Sequence, residues 1–233
     1  MLIYGTNPIK EALNADRKIF EMFHVEKTHP DLVALAKKKD VKISLLSKDA
    51  MMKKFGPNHQ SIAANVEDYA FVPLQEALEK PDKKLFVMLD GVEDPHNLGA
   101  VIRNVEALGA SGIIIPKHRT ATITPTVVKV SSGAVEYVDI IQVPNLHQAI
   151  LKLKEANVWV VGTALDTDDT LDDIYVDLDL CMVFGSEGKG LSQLVKKHCD
   201  YLVKIPMQGQ LNSLNISVST GVALYDIMKR RRG

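Results

Sequence analysis

The chain has 233 residues, 46% hydrophobic and 24% charged, which is typical of a globular protein of one or two domains. No apolar stretch reaches the roughly 18 residues of a membrane-spanning helix, and the first residues do not have the pattern of a secretory leader. Cys181 and Cys199 are the only cysteines, and neither belongs to a CxxC motif. We therefore expect neither a disulfide framework nor a cysteine-based zinc site, and we expect a reducing, cytoplasmic compartment.

The net charge is −1, with 28 Lys and Arg against 29 Asp and Glu, and taken alone it argues against a nucleic-acid partner. The charge is unevenly distributed, however, because residues 37–54 carry a net +5, residues 189–233 a net +6 and residues 166–179 a net −7. A single charged run is most often a solvated surface. Two basic clusters offset by one acidic stretch are nevertheless compatible with a polyanionic partner.

Residues 1–67 predict a small α/β domain. The pattern predicts a helix opened by Asn7-Pro8, a strand over 19–25, a helix over 30–39, a strand over 41–44, a helix capped by Ser47 and a strand over 62–66. Residues 68–84 place Pro73 and Pro81 around one short helical segment, and we interpret them as a linker.

From residue 85 onwards, short apolar runs alternate with helical patterns. The runs lie at 85–89, 112–115, 138–143, 158–162, 181–184 and 201–205, and helices are predicted at 98–109, 125–131, 146–156, 190–198 and 216–231. Strands that are apolar on both faces, with helices between them, predict a mainly parallel sheet. Ligands of such sheets bind at the carboxyl ends of the strands, so we expect the functional residues in the loops that follow the runs.

Three of these loops have sequences that suggest a binding site. The first places Asn97 where it could cap a helix, with Arg103 six residues further on. The second, residues 184–190, is rich in glycine but matches neither the GxxxxGK[ST] P-loop nor the GxGxxG dinucleotide-binding motif, and Glu187 would repel a phosphate. The third, residues 205–215, is apolar and amide-rich and suits an uncharged heterocycle such as adenine. Each loop alone also has an ordinary structural interpretation. The first could be a helix cap followed by a surface arginine, the second a tight strand–helix turn, and the third a long loop that ends in a helix cap at Ser213 or Asn215.

Together and in this order, the loops resemble the three motifs of the SpoU (TrmH-like) family of RNA ribose 2′-O-methyltransferases. The resemblance covers residues 85–233. The sequence of residues 89–100 resembles that of the family branch that methylates a guanosine ribose in the peptidyl-transferase loop of 23S rRNA. The N-terminal domain, which contains the sequence IYGTNP, is similar to the L30e-like RNA-binding domain of that branch. Family members that act on tRNA usually lack this domain.

The resemblance implies an α/β trefoil-knot (SPOUT) methyltransferase domain over residues 85–233, with residues 184–215 threading the knot. It implies a homodimer in which the last helix contributes to both the active site and the interface. It also implies S-adenosylmethionine as the cofactor, in a pocket formed by Thr163, Gly185, Ser186, Gly188, Ile205, Met207 and Leu214.

The catalytic set implied by the resemblance is Arg103, Asn97, Glu187, Ser213 and Asn215. A guanidinium is effectively always protonated, so we expect Arg103 to stabilise the developing alkoxide of the ribose 2′-hydroxyl rather than to act as a base. Asn97 and Glu187 are expected to orient Arg103 and the ribose. Ser213 and Asn215 are expected to hydrogen-bond the second loop or the substrate.

Several alternatives remain open at this stage. The chain could be a tRNA methyltransferase of the same family, or a non-catalytic RNA-binding factor in ribosome assembly. His96 could act as a general base beside Asn97. The histidines and the aspartate-rich stretch show no metal-binding spacing, so no metal is expected. In the N-terminal domain, the candidates for contact with rRNA are Lys37, Lys38, Lys39, Lys53, Lys54, Arg17 and Lys18.

Overall fold

The computed structural model describes residues 1–210 and 213–232, and this part of the chain forms two compact units. The first unit comprises Met1–Ala70 and Ile123–Tyr137, and the second comprises Phe71–Thr122 and the chain from Val138 on. In chain order, the strands are β1 (Leu2–Tyr4), β2 (Ile19–Val25), β3 (Ile43–Leu46), β4 (Ile62–Val66), β5 (Leu85–Asp90), β6 (Gly112–Pro116), β7 (Asp139–Val143), β8 (Trp159–Thr163), β9 (Leu180–Gly185) and β10 (Tyr201–Val203). The α-helices are α1 (Thr6–Asn14), α2 (Pro30–Lys38), α3 (Lys48–Phe55), α4 (Leu74–Glu79), α5 (Pro95–Ala107), α6 (Pro125–Val130), α7 (Leu146–Glu155), α8 (Gln193–His198) and α9 (Ile216–Arg231).

The first unit is built on a sheet which, in the described residues, has four strands in the order β1-β4-β2-β3. Strand β4 is antiparallel to both of its neighbours, and β2 is parallel to β3. Helix α3 begins as predicted, because the Ser47 hydroxyl accepts a hydrogen bond from the Ala50 amide at 3.2 Å. Strand β1 was not predicted, since three residues are too few to show a periodic pattern.

Residues 123–137 lie in the first unit, although the sequence predicted them in the second domain. Helix α6 packs against β1, and a short 3-10 helix at Ala134–Glu136 packs against α1. Val127, Val128 and Val135 are buried there. The sequence correctly predicted a helix at 125–131, but a helical pattern does not say which unit covers the segment.

The second unit is built on a parallel sheet whose described strands follow the order β10-β8-β9-β5-β6-β7. Strands β5 and β9 are paired from Leu85↔Leu180 to Asp90↔Gly185, and nearly every side chain along both of them is buried. Burial on both faces accounts for their uninterrupted apolar sequences. The predicted fold class, an α/β domain with a mainly parallel sheet behind a small α/β domain, is confirmed.

Helix α5 begins three residues earlier than predicted. Its N-cap is Asp94, whose side chain accepts a hydrogen bond from the His96 amide at 2.9 Å, and Pro95 occupies the first helical position. The prediction that Asn97 caps the helix is therefore wrong. An aspartate before a proline is the stronger start signal, because proline has no amide proton to satisfy. Asn97 lies in the first turn, with its side chain available for other contacts.

The predicted threading of residues 184–215 includes Leu211 and Asn212, which lie outside the described residues, as does Gly233. The knot therefore stays an implication of the family resemblance. Among the helices of the described residues, none combines the length and the apolar content that crossing a membrane requires.

Candidate active site

A cavity of about 500 Å³ opens in the second unit at the carboxyl ends of β8, β9 and β10. This is the edge at which parallel sheets bind ligands. Thr163 ends β8, and its hydroxyl donates a hydrogen bond to the Val183 carbonyl of β9 at 3.0 Å. All of the residues predicted to hold a cofactor line this cavity: Thr163, Gly185, Ser186, Gly188, Ile205, Met207 and Leu214.

The loop after β9 folds back on itself at the cavity wall. A Cβ atom at Gly185 would lie 2.1 Å from the carbonyl carbon of Gly190, so only glycine fits there. The Gly190 amide donates to the Ser186 carbonyl at 3.0 Å, which closes the loop, and Gly188 has a φ of 82°. The glycines thus let the backbone approach itself, and the fold presents Glu187 at the exposed tip of the loop.

Three residues from the three predicted motifs meet in one hydrogen-bonded cluster. The Asn215 side-chain amide donates to Glu187 Oε1 at 2.7 Å and to Asn97 Oδ1 at 2.9 Å. The Asn97 amide donates to the same Glu187 oxygen at 3.3 Å. Residues that are 90 and 118 positions apart in the sequence therefore converge. We call Asn97, Glu187 and Asn215 the amide–carboxylate cluster.

Asn215 is also the N-cap of α9, which decides between the two caps considered for the third loop. Its Oδ1 accepts from the Ser217 amide at 2.9 Å and from the Ser217 hydroxyl at 2.6 Å. The same side chain thus fixes the start of the helix and holds the cluster. Ser213 lines the cavity but does not cap the helix.

Arg103 lies apart from this cluster. It is exposed on α5, and within the described ranges no hydrogen bond or ion pair joins it to another residue. The structure connects Asn97 and Glu187 to Asn215 and not to Arg103, so the orientation of Arg103 by these two residues stays a prediction. His96 is likewise exposed, and the hydrogen bond of its amide is structural, because it caps α5.

The structure adds residues to the cavity that the sequence did not identify. Asp166 and Lys196 form an ion pair, and both line the cavity, together with Lys204, Ile216 and Ser219. Asp166 stood out in the sequence only as part of the acidic stretch, and Lys196 only as part of a basic one. Nothing in the sequence indicates that these positions pair, because they are 30 residues apart.

In the first unit, the candidate RNA contacts differ sharply in their surroundings. Arg17 is not free for RNA: it donates to the Glu67 carbonyl at 2.8 and 3.2 Å, stacks 3.5 Å from the centre of the Tyr69 ring and pairs with Glu136. Lys39 pairs with Asp16, and the Lys54 ammonium lies 3.9 Å from the Phe23 ring centre. The remaining candidates, Lys18, Lys37, Lys38 and Lys53, are exposed and form no ion pair with an acidic group of the described chain.

Both parts of the chain match known protein families. Residues 84–225 match the SpoU rRNA Methylase family, and residues 2–72 match the RNA 2′-O ribose methyltransferase substrate-binding family. Fold and family together define the chain as an RNA 2′-O-methyltransferase. It belongs to the SpoU rRNA methylase family.

Similar proteins cover nearly the whole chain. A TrmH-family protein of Bacillus subtilis (strain 168), whose name covers both tRNA and rRNA methyltransferases, is 37% identical over 98% of this chain and 95% of its own length. The 23S rRNA (guanosine-2′-O-)-methyltransferase RlmB of Coxiella burnetii is 38% identical over 98% of this chain and 95% of its own. The structure of the SpoU methyltransferase AviRb from Streptomyces viridochromogenes, in complex with AdoMet, is 25% identical with a TM-score of 0.87. That match covers 100% of this chain and 90% of AviRb.

Proposed function

We propose that the chain transfers a methyl group from S-adenosylmethionine to the ribose 2′-hydroxyl of a guanosine in the peptidyl-transferase loop region of 23S rRNA. The observation that carries this proposal is the convergence of the amide–carboxylate cluster beside a cavity lined by the predicted cofactor residues. The similarity to a 23S rRNA guanosine methyltransferase favours this substrate, and the AdoMet complex of AviRb favours this cofactor.

The chemistry of the cavity suits an adenosyl sulfonium. Ile205, Met207 and Leu214 offer apolar surface for an adenine ring, and the glycine-rich loop offers backbone groups for hydrogen bonding. The Glu187 carboxylate would repel a pyrophosphate but tolerates a cation. When bound, S-adenosylmethionine supplies an activated methyl group, so that the protein needs chiefly to bind, orient and exclude water.

Arg103 has the role of stabilising charge in this proposal. The ribose hydroxyl becomes a strong nucleophile as its proton leaves, and the positive charge of a nearby guanidinium favours the alkoxide that develops. The proton passes to water or to a neighbouring phosphate, because Arg103 itself stays protonated. The amide–carboxylate cluster holds the three motif loops together and presents hydrogen-bonding groups towards the ribose, and Ser213 adds a hydroxyl at the cavity wall.

The first unit supplies RNA binding in this proposal. Its match to the substrate-binding family and its exposed lysines support that role. We propose an RNA-binding domain over residues 1–67 and the methyltransferase domain over 85–233, with residues 123–137 added to the first unit. Most of the predicted linker over 68–84 is not a free connection, because the second unit begins at Phe71 and buries Leu74 and Ala77 in its core. The enzyme would act in the cytoplasm, where rRNA is made and assembled.

We further propose that the chain works as a homodimer through α9. Val218, Val222 and Tyr225 are 49%, 40% and 61% exposed and follow one another at helical spacing, so they form one apolar stripe. A second copy is the occupant that the family resemblance implies. Replacing Val222 and Tyr225 by aspartate should convert the dimer to a monomer in light scattering at micromolar concentration. A wild-type chain that is already monomeric would contradict this proposal.

The proposed substrate is tested by supplying tritiated S-adenosylmethionine with 23S rRNA, 16S rRNA or tRNA transcripts in separate reactions. We expect label only in 23S rRNA, and alkali-resistant dinucleotides should place it on a guanosine ribose. Label confined to tRNA would assign the chain to the tRNA branch. Label in none of the RNAs, despite tight RNA binding, would favour a non-catalytic assembly factor.

A further inference from the structure

One polar side chain outside the predicted catalytic set connects α5 to the start of α9. The Asn104 side-chain amide donates a 2.6 Å hydrogen bond to the Ser217 carbonyl in the first turn of α9. Asn104 lies seven residues after Asn97 on the same helix, so the two side chains project from nearly the same face. Both therefore reach the N-terminal end of α9, Asn97 through Asn215 and Asn104 through Ser217.

The approach of the two helices is close at this point. Gly221 lies one turn after Ser217, and a Cβ atom there would lie 3.2 Å from the Asn104 side-chain nitrogen. A side chain at residue 221 would thus crowd Asn104. The glycine and the asparagine act as a pair, because the absence of one side chain makes room for the hydrogen bond of the other.

The hydrogen bonds continue from Asn104 to the proposed catalytic residues. Ser217 donates to the Asn215 side chain through both its amide and its hydroxyl, at 2.9 and 2.6 Å. Asn215 in turn donates to Asn97 and Glu187. The position of the first turn of α9 therefore affects where the Asn215 amide points, and Asn104 is a residue of α5 that donates a hydrogen bond to the backbone of that turn.

We propose that Asn104 is a positioning residue for methyl transfer, acting on the amide–carboxylate cluster through Ser217 and Asn215. The inference rests on the proposed function for its consequence in activity. Its structural part, that Asn104 fixes the first turn of α9, stands independently. Asn104 neither lines the cavity nor belongs to the cluster itself. An interaction of this kind is expected to be worth about tenfold in rate.

Two variants test the proposal. Asn104→Asp keeps the shape but replaces the donor by an acceptor that faces a carbonyl, and Asn104→Ala removes the side chain. Glu106→Gln, an exposed change on the same helix, is the matched control. Thermal unfolding of each variant shows that the fold is retained. Hydrogen exchange is followed in the amides of residues 217–221, with α7 as the internal reference.

In both Asn104 variants we expect exchange in residues 217–221 to accelerate by about tenfold while α7 is unchanged, and kcat with 23S rRNA to fall by about tenfold. In a chain that already carries Asn215→Ala, Asn104→Ala should lower kcat by less than about twofold, because the residue it acts through is gone. A purely structural role predicts instead that the two losses multiply.

Wild-type exchange rates in residues 217–221 of both variants would overturn the proposal, as would multiplying losses in the double variant. If the wild-type chain methylates none of the RNAs, the proposed function fails. The exchange measurement then still decides whether Asn104 fixes the start of α9, so the two failures are distinguishable.

Discussion

The two basic clusters look alike in the sequence, yet the structure uses them differently. In the N-terminal cluster, residues 37–54, Lys37, Lys38 and Lys53 are exposed and pair with no acidic side chain in the described part of the chain. The C-terminal cluster, residues 189–233, ends in a basic run at residues 229–232, which we call the C-terminal run. In this run, Arg230 donates to the carbonyls of Leu171, Asp172 and Ile174, and Arg231 donates to those of Lys84, Val176 and Leu178. The guanidinium groups of these two arginines hold the backbone of the acidic stretch and are therefore not free to bind RNA.

The difference follows from the side chains. A guanidinium presents several N–H donors in a planar fork and is weakly hydrated, so it can be partly buried among carbonyl oxygens. An ammonium is strongly hydrated and stays in water unless a carboxylate is close. The acidic stretch has further partners, since Asp166 pairs with Lys196 and Asp179 with Lys84. Net charge along a chain therefore overstates the surface available to RNA wherever the basic residues are arginines with backbone partners.

Arg17 is an arginine of the first unit that also bonds within the protein, and its replacement is expected to lower stability the most. It pairs with Glu136, whose side chain is 3% exposed. Arg17→Ala should lower the free energy of unfolding by about 3 kcal/mol, because it leaves a buried carboxylate without its cation. Urea unfolding followed by circular dichroism measures this, with Lys37→Ala as the control. Equal losses in the two variants would show that Arg17 is merely a surface charge.

The stability lost in Arg17→Ala should also depend on pH. Burial raises the pKa of the Glu136 carboxyl above its usual value, although Tyr69 and Arg17 oppose the shift. Removing Arg17 raises this pKa further. In both chains, the unfolded state loses the Glu136 proton at a lower pH than the folded state does, and the gap is wider in the variant. The stability of Arg17→Ala relative to wild type should therefore fall as the pH rises from about 4 towards 7. A constant difference over that range would mean that Glu136 does not titrate there.

Arg231→Lys separates charge from geometry in the C-terminal run. The positive charge is retained, but a lysine cannot reach the three carbonyls with one planar group. We expect a loss of about 2 kcal/mol in urea unfolding. Arg232→Lys, at an exposed position, should change stability by less than about 0.5 kcal/mol. Full stability of Arg231→Lys would contradict a role for the guanidinium shape.

The N-terminal cluster should show the opposite pattern. Replacing Lys37, Lys38, Lys48 and Lys53 by glutamine should weaken binding to a 23S rRNA fragment by about tenfold and reduce the salt dependence of binding. The unfolding free energy should stay nearly unchanged, because these side chains are exposed. Affinities measured against potassium chloride concentration test this. An unchanged salt slope would place the RNA contacts elsewhere.

The smallest effect is expected within the N-terminal cluster itself. Lys39 is ion-paired with Asp16, whose side chain is 83% exposed, so Lys39→Ala should change the unfolding free energy by less than about 1 kcal/mol. It should also weaken RNA binding less than Lys38→Ala does, because the Lys39 charge is already partly neutralised. Equal effects of the two variants on RNA affinity would show that this pairing does not matter to RNA.

Local patterns predicted much of this structure. Helix α9 spans the predicted residues 216–231, Ser47 caps α3, and every predicted run after residue 85 contains a strand of the parallel sheet. Such features depend on periodicity and on capping chemistry within a few residues. The motif order also located the cavity lining, although only through resemblance to a family.

The cap of α5 was a local signal, Asp94-Pro95, but the contacts that the sequence could not predict are non-local. Asn97 was predicted to be a cap, but it bonds with residues about a hundred positions away, Glu187 and Asn215. The burial of residues 123–137 against α1 and β1 depends on the fold of the first unit. Asn104 showed no signal at all, because its partner is a backbone carbonyl. An unpaired surface residue, a cap and a cluster member look the same in sequence until their neighbours are known.

Arg103→Ala separates cofactor binding from methyl transfer in one paired measurement. Because Arg103 does not line the cavity, calorimetry should show S-adenosylmethionine binding within about twofold of wild type. Methyl transfer to 23S rRNA by the same preparation should fall by at least about a hundredfold. Near-normal transfer by Arg103→Ala would contradict a catalytic role for Arg103 and remove it from the catalytic set.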